Sequence, residues 1–311
     1  MKWKLKSLIQ NAVSMLPSSL SYRTYYWIQR RFGGLKHVDP RNDLAAGIEI
    51  AKRIKKMGHK VEGNVLFEIG TGRNAMAPLS YWLMGAEKTI TIDLNPYLKE
   101  ELVKESITYI SSIKEEIIEA FGDNLSQRRL EKLIKFSQSN YNLASFLTFC
   151  HIEYIAPGNA ANTSIPPDSI DFHTSHHVLE HIPPTEIKAI LKEGNRITKH
   201  NGLFVHRIDH SDHFSHSDQS ISTINFLQFN EKEWHKLAGN RYMYMNRLRE
   251  DDYIKLFEAV NHNIMNIEST KDMKALDLVR KGGLKLNPRF GNKDDDTISI
   301  VNSWIISQRR G

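Results

Sequence analysis

The chain alternates short apolar runs with longer stretches whose apolar residues recur at helical spacing. Val65 to Ile69 is an apolar run that closes on Gly70-Thr71-Gly72, and Ala75 to Leu83 continues with helical character, which reads as strand, tight turn, helix. A second run, Thr89 to Ile92, ends in Asp93, 21 residues after Gly72. Ile152–Ala156, Ile170–Ser175, Gly202–Ile208, Asn263–Ser269 and Thr297–Ser307 read as five further strands, with helices predicted over Leu44–Met57, from Leu98 onward, over Thr185–Ile197 and over Asp251–Val260. That alternation predicts an α/β fold on a largely parallel sheet. Between the second and third runs, Lys99 to Leu147 holds 49 helix-favouring residues broken at Gly122-Asp123-Asn124. A parallel crossover needs only about a dozen residues or more. The surplus is an insertion, expected either as a helical cap over a pocket (about 99–148) or as a dimer contact. Lys271 to Asp296 reads as a polar loop.

Residues 1–60 carry 13 Lys and Arg against 3 Asp and Glu, a net +10, while the remainder is −4. The predicted division is therefore a basic helical segment, 1–60, before an α/β body, 61–311. An acidic body argues against a nucleic-acid groove across the fold. Met1 to Ser21 places Leu5, Leu8, Ile9, Ala12, Val13 and Leu16 at helical spacing behind the start MKWKLK, an amphipathic helix with a basic end. It is expected either to rest on an anionic membrane surface or to pack on the body. Tyr22 to Arg31 interleaves aromatics with arginines. No run reaches the roughly 18 apolar residues of a membrane span. The single cysteine, Cys150, allows no disulfide framework and reads as a core residue, so the expected location is cytoplasmic, with peripheral contact at the inner membrane surface as the variant. Oligomeric state is not legible.

Glycines at 70 and 72 allow close backbone approach to a ligand. Gly70, Gly72 and Ala75 also satisfy a loose dinucleotide fingerprint, so the glycines alone do not choose the cofactor. Glu68 does, because a carboxylate two positions before Gly70 repels a pyrophosphate and suits a cationic amino-acid tail. Asp93, at the end of the next strand, stands where a carboxylate grips ribose hydroxyls. Further along, Asp171, Ser175, Val178, Leu179, Glu180 and His181 spell D-x-x-x-S-x-x-V-L-E-H.

With E-x-G-x-G and Asp93, this stretch resembles the class I S-adenosylmethionine-dependent methyltransferases over roughly residues 61–209. The resemblance implies a doubly wound, seven-stranded Rossmann-like sheet, mostly parallel with its last strand antiparallel, flanked here by N-terminal helices and the insertion. It implies S-adenosylmethionine as cofactor, held by Glu68, Gly70, Thr71, Gly72, Asn74, Asp93, Leu94, Asn159, Ala160, Ser175 and His176. Asn159 stands where the family commonly has an acid; its carbonyl is expected to accept from the adenine amino group.

Methyl transfer to a hydroxyl needs alignment and removal of a proton. Ser175, His176 and His177 sit at the end of strand four. His206 to Asp218 packs four histidines and three aspartates into thirteen residues. His206, Asp209, His213 and His177 are the candidate catalytic residues, with His213 or His206 as base and Asp209 orienting it. If the segment turns helical, Asp209, Asp212, His213 and His216 share a face and offer a divalent-metal alternative. A third reading makes them helix caps and solvated histidines. Arg247 and Arg249 read either as a fork for an acceptor phosphate or carboxylate, or as surface ion pairs. The Pro-Pro-aromatic signature of amine and base methylases is absent, which tilts the acceptor toward oxygen. The layout is similar to methyltransferases of bacterial surface-polysaccharide synthesis, implying a sugar hydroxyl of a glycan, glycolipid or related anionic acceptor. The alternatives are N-, O- or C-methylation of a small natural product, and a non-catalytic cofactor-binding protein.

Overall fold

A computed structural model of the chain describes residues 1–310. Seven strands form one sheet: β1 (Val65–Ile69), β2 (Lys88–Ile92), β3 (Ile152–Ile155), β4 (Ile170–His176), β5 (Thr198–Asp209), β6 (His262–Lys271) and β7 (Ile300–Arg309). Their order is β3-β2-β1-β4-β5-β7-β6. Neighbours are parallel from β3 to β5, and β7 runs antiparallel to both β5 and β6. The predicted doubly wound, seven-stranded Rossmann-like methyltransferase sheet is therefore present. The strand order reverses at β1, and β1 and β4 diverge there toward opposite edges, the place where open α/β sheets bind ligands at the carboxyl ends of their strands.

Central strands are apolar on both faces, as parallel sheets require. Leu66, Phe67, Phe172, Phe204 and Val205 are all buried. The helix Arg41–Lys56 contributes Leu44, Ile48, Ala51 and Ile54 to the core that contains Leu66 and Met76. The basic segment 1–60 thus has no separate core, and its third helix is part of the α/β body.

The insertion forms the helices Glu100–Ser112, Lys114–Phe121, Gln127–Ser137 and Leu143–Phe149. Their apolar faces, through Val103, Ile107, Ile117, Phe121, Leu130 and Phe146, join the core beside Tyr81, Trp82 and Leu83. The insertion flanks the sheet and sends only Leu102 into the cavity described below. The expected cap is supplied instead by residues 34–43 of the N-terminal segment, which line that cavity.

Residues 214–245 and 275–298 build a second small core around Phe214, Phe226, Trp234, Met243 and Phe290, and Trp3 from the first helix is one of its members, while Tyr253, Leu256 and Phe257 pack on the sheet. The expected polar loop 271–296 folds within this unit as a helix, Met273–Arg280, and a short 3-10 turn, Pro288–Phe290. Apolar Ala275, Leu276 and Phe290 give it an inward face, and Asp272 caps the helix by accepting from the N–H groups of Lys274 and Ala275.

Candidate functional site

At the carboxyl end of β1 the chain turns through Gly70 (φ +87°) and Gly72 (φ +72°), both left-handed. A Cβ on Gly70 would lie 2.5 Å from Cγ2 of Val178, so the V-L-E-H turn itself presses on the glycine turn. At Gly72 a Cβ would meet nothing within 4 Å, and the requirement there is conformational alone. A cavity of about 460 Å³ opens beside this turn, lined by Glu68, Gly70, Thr71, Gly72, Asn74 and His176 and roofed by Gly34 to Asp43.

Glu68 is 1% exposed; its Oε2 accepts from the hydroxyls of Tyr81 (2.8 Å) and Thr174, while no protein donor reaches Oε1. Burial pushes its carboxyl up to about 7, against the Thr174 and Tyr81 hydrogen bonds. Burial likewise pushes Asp93 up to about 7, offset in part by Thr71 and Tyr154. Asp93 Oδ2 is buried without any hydrogen-bond partner. An orphaned carboxylate oxygen is costly unless something else supplies the donors. The two hydroxyls of a ribose would do so, and the residues present therefore fit the cofactor that the resemblance implies.

Both shifts make cofactor affinity pH-dependent. Each carboxyl titrates above its ordinary range in the folded chain, so its contribution to stability is fully present at acid pH and lost as pH rises through about 7. A ligand that needs both carboxylates ionised shows the opposite trend. The dissociation constant for S-adenosylhomocysteine should rise up to about tenfold per pH unit and per proton below 7. Calorimetry between pH 5.5 and 8 in buffers of constant ionic strength measures this, and a flat profile contradicts it.

Other expected cofactor contacts are placed less simply. Asn74 lines the cavity and its Nδ2 donates to Oδ2 of Asp43 at 2.7 Å. Asp43, whose carboxyl burial pushes up, had no signal in the sequence beyond lying in a helix start. Leu94 is exposed and Ala160 buried. Oδ1 of Asn159 already accepts from the N–H of Ala161 at 2.9 Å, so the carbonyl expected to meet adenine is engaged in a local turn. The Ser175 side chain points into the core and pairs with Nδ1 of His206 at 2.7 Å, leaving only its backbone for a ligand.

The histidine-rich segment corrects the sequence reading at several points. His206 is fully buried, with Nδ1 on Ser175 and Nε2 3.3 Å from Nδ1 of His173, so neither ring nitrogen is free to serve as a base. Beyond Asp209 the chain does not become helical; it makes turns. Asp212 is fully buried and accepts from the N–H of Phe214 (2.9 Å) and from Nδ2 of Asn225 (3.1 Å), which removes it from the metal set.

Asp209, His213 and His216 do converge: His213 Nε2 lies 3.3 Å and His216 Nε2 3.6 Å from Asp209 Oδ2. Burial raises the Asp209 carboxyl, but hydrogen bonding and charge from His213, with Ser211, hold it well below the usual range. His177 has a left-handed backbone (φ +56°), uncommon for a residue with a side chain, and its Nε2 is 3.2 Å from Oδ1 of Asn302. Burial pushes His177 down to about 4 and His176 to about 3, so both are neutral at pH 7, and Nε2 of His176 accepts from Nη1 of Arg207 at 3.1 Å.

Arg247 and Arg249 are buried and serve the backbone. Arg247 donates to the carbonyls of Phe226 and Phe229 and also pairs with Glu231 at 2.6 Å, as the ion-pair alternative expected of it, and Arg249 donates to the carbonyls of His210, Ile298 and Ile300. Neither offers a fork to an acceptor.

Sheet order, glycine turn and paired carboxylates define a Rossmann-like methyltransferase fold. Residues 122–206 match the family model described as a methyltransferase domain, a span that covers β3 and β4, the V-L-E-H turn and most of β5 but not the glycine turn. No curated protein matches in sequence. Among solved structures, the chain is similar to a SAM-dependent methyltransferase from Methanosarcina mazei, with 17% identity over 80% of this chain and 93% of that one, TM-score 0.43. It is also similar to a geranyl diphosphate C-methyltransferase from Streptomyces coelicolor, with 11% identity over 84% of this chain and 79% of that one, TM-score 0.44. The family match and the sheet support S-adenosylmethionine-dependent methyl transfer; the acceptor has to be argued from this chain's own residues.

Proposed function

We propose that this protein is an S-adenosylmethionine-dependent O-methyltransferase acting on a sugar hydroxyl of an anionic glycan or glycolipid. One observation carries the cofactor part: buried carboxylates lie at the ends of β1 and β2 on either side of a doubly left-handed glycine turn, each with an oxygen that no protein donor reaches. Glu68 receives the cationic methionine moiety and Asp93 the ribose. On the acceptor side, His213 with Asp209 is the remaining base candidate once His206 is placed in the core. Its role is to accept the hydroxyl proton while the cavity aligns oxygen, methyl group and sulfur. Methyl transfer from labelled S-adenosylmethionine to a panel of sugars, glycolipids and small metabolites tests the reading. Label confined to protein or nucleic acid overturns it, and label on a small metabolite alone favours a natural-product acceptor.

The membrane-linked acceptor is favoured by the first two helices, Trp3–Ser14 and Ser18–Phe32. The first packs on the body through Trp3, Ser7, Gln10 and Val13, with Ser7 donating to the Leu237 carbonyl and the Trp3 N–H to Asp218. Part of the apolar stripe faces solvent, Leu5 at 51% and Leu8 at 65% exposed, joined by Met15 at 85% and, on the second helix, by Trp27 at 60% and Phe32 at 72%. Around them lie Lys4, Arg23, Arg31 and Lys36, and no Asp or Glu occurs before Asp39. Exposed apolar and basic groups together fit an anionic lipid surface. The protein should co-sediment with vesicles of phosphatidylcholine and phosphatidylserine, and Leu5→Glu with Leu8→Glu should cut partitioning by at least about tenfold. Equal partitioning into purely neutral vesicles, or self-association in place of vesicle binding, contradicts the assignment. No helix among the described residues is long and apolar enough to cross a membrane.

A further inference from the structure

Glu180, in the 3-10 turn Leu179–His181, is 2% exposed, and neither of its carboxylate oxygens has a hydrogen-bond partner. Whether ionised or protonated, such a group is left unsatisfied, and a native fold rarely tolerates that without a use for it. One oxygen of Glu180 and ring nitrogens of His181 and His213 lie within 4.8 Å of one another, and a second group of the same kind, Asp209, His213 and His216, shares His213 with the first. Nε2 of His213 is also buried, with Oδ2 of Asp209 3.3 Å away.

We propose that the chain holds one divalent first-row transition ion on Glu180, His181 and His213, with Asp209 and His216 at the edge of the site. Two imidazoles and a carboxylate suit zinc, manganese, iron or cobalt better than magnesium or calcium, which prefer all-oxygen sets.

The surroundings orient these side chains in the manner of metal ligands. Nδ1 of His181 lies 2.8 Å from the carbonyl of Tyr244, which can only accept. The proton therefore sits on Nδ1, and Nε2 presents a bare lone pair. Oδ1 of Asp209 is pinned by the N–H and hydroxyl of Ser211 at 2.8 and 2.6 Å, leaving Oδ2 toward His213 and His216. The turn bearing Glu180 is clamped: Nδ2 of Asn246 donates to the carbonyls of Leu179 and Ile182, and the Asn246 N–H donates to that of Glu180. Asp212, the acid that sequence spacing offered, is not part of the set.

Ion binding stands on the side chains alone, but its purpose rests on the methyltransferase reading. Beside the acceptor, a bound ion would lower the pKa of a hydroxyl and so take over the proton-removing role of His213, whose ring nitrogen is then engaged by the ion.

The full chain, stripped with a chelator and shown to be folded by circular dichroism, is titrated with zinc, manganese and cobalt chlorides. One equivalent of at least one of these ions should bind saturably, and bound cobalt should give a visible spectrum with imidazole ligation. Glu180→Gln and His213→Ala should each weaken binding at least about tenfold, while His235→Ala, on an exposed helix outside the cluster, should not. Absence of saturable binding by all three ions, or binding that survives both ligand substitutions, overturns the site. S-adenosylhomocysteine binding measured in parallel separates the two readings: an ion bound without any cofactor affinity sinks the methyltransferase assignment and leaves the site standing.

Discussion

Asp93→Ala is expected to weaken S-adenosylhomocysteine binding by roughly 100-fold or more. Two ribose hydroxyls donating to one carboxylate make two charge-assisted hydrogen bonds, and losing them costs about 3 kcal/mol at the lower end of their range. The variant itself should fold. Oδ2 of Asp93 has no protein partner, and the contacts with Thr71 and Tyr154 offset the cost of burying the carboxylate only in part, so alanine removes a group whose burial is already penalised. The thermal midpoint at pH 8 should therefore not fall while cofactor affinity collapses, a split that a merely structural carboxylate could not produce. Calorimetry and thermal denaturation on the same preparation decide it. An unchanged dissociation constant would remove the ribose from Asp93.

That a single strand end carries so much is why this part of the site was legible. β1, β2 and β4 are short apolar runs punctuated by glycine or an acid, and in a parallel sheet the residue after the run lies at the ligand-binding edge whatever else surrounds it. Glu68, Gly70, Gly72 and Asp93 follow from that rule. The insertion was legible as helices but not in its placement, because an apolar stripe such as Val103, Ile107 and Ile110 states that a face is buried without naming its partner. The first helix shows the converse. Its apolar stripe left open whether Leu5 and Leu8 pack on the body or face outward; Trp3 anchors the helix in the second core, and both leucines are exposed. One aromatic side chain at the right register decided what the pattern could not.

The histidines divide by register in a way that spacing alone could not show. His206 sits opposite Ser175 of β4 and Ile305 of β7, in a strand with neighbours on both sides, and is sealed in. His213, seven residues on, has left the sheet and lies beside Asp209, the last residue of β5. Glu180 and His181 were read only as part of the D-x-x-x-S-x-x-V-L-E-H pattern. Val178 presses on Gly70, while ligand atoms of the next two polar residues lie within 4.8 Å of one on His213. An unsatisfied buried carboxylate is a property of the fold and leaves no mark in a linear pattern.

Arg249→Met should destabilise the protein by about 3 kcal/mol or more, although Arg249 belongs to neither candidate site. This guanidinium is fully buried and donates to the carbonyls of His210, Ile298 and Ile300, stitching the exit of β5 to the start of β7. Methionine matches much of the arginine stem but strands three buried carbonyls, each costing about 1–3 kcal/mol when its partner is lost. Because the same residue fastens the unit that carries His213 to the sheet, the loss should appear first as loosening of residues 210–245 and 273–299. Hydrogen exchange would then rise there before it rises in β1 or β4. Lysine should not rescue the variant: one compact ammonium cannot span acceptors on two separate segments as a planar fork does. Denaturant unfolding of the wild-type chain, Arg249→Met and Arg249→Lys measures the effect. A change within the scatter of ordinary surface substitutions, about 0.5 kcal/mol, would show that the three carbonyls find other donors and that the clamp is not what holds this unit in place.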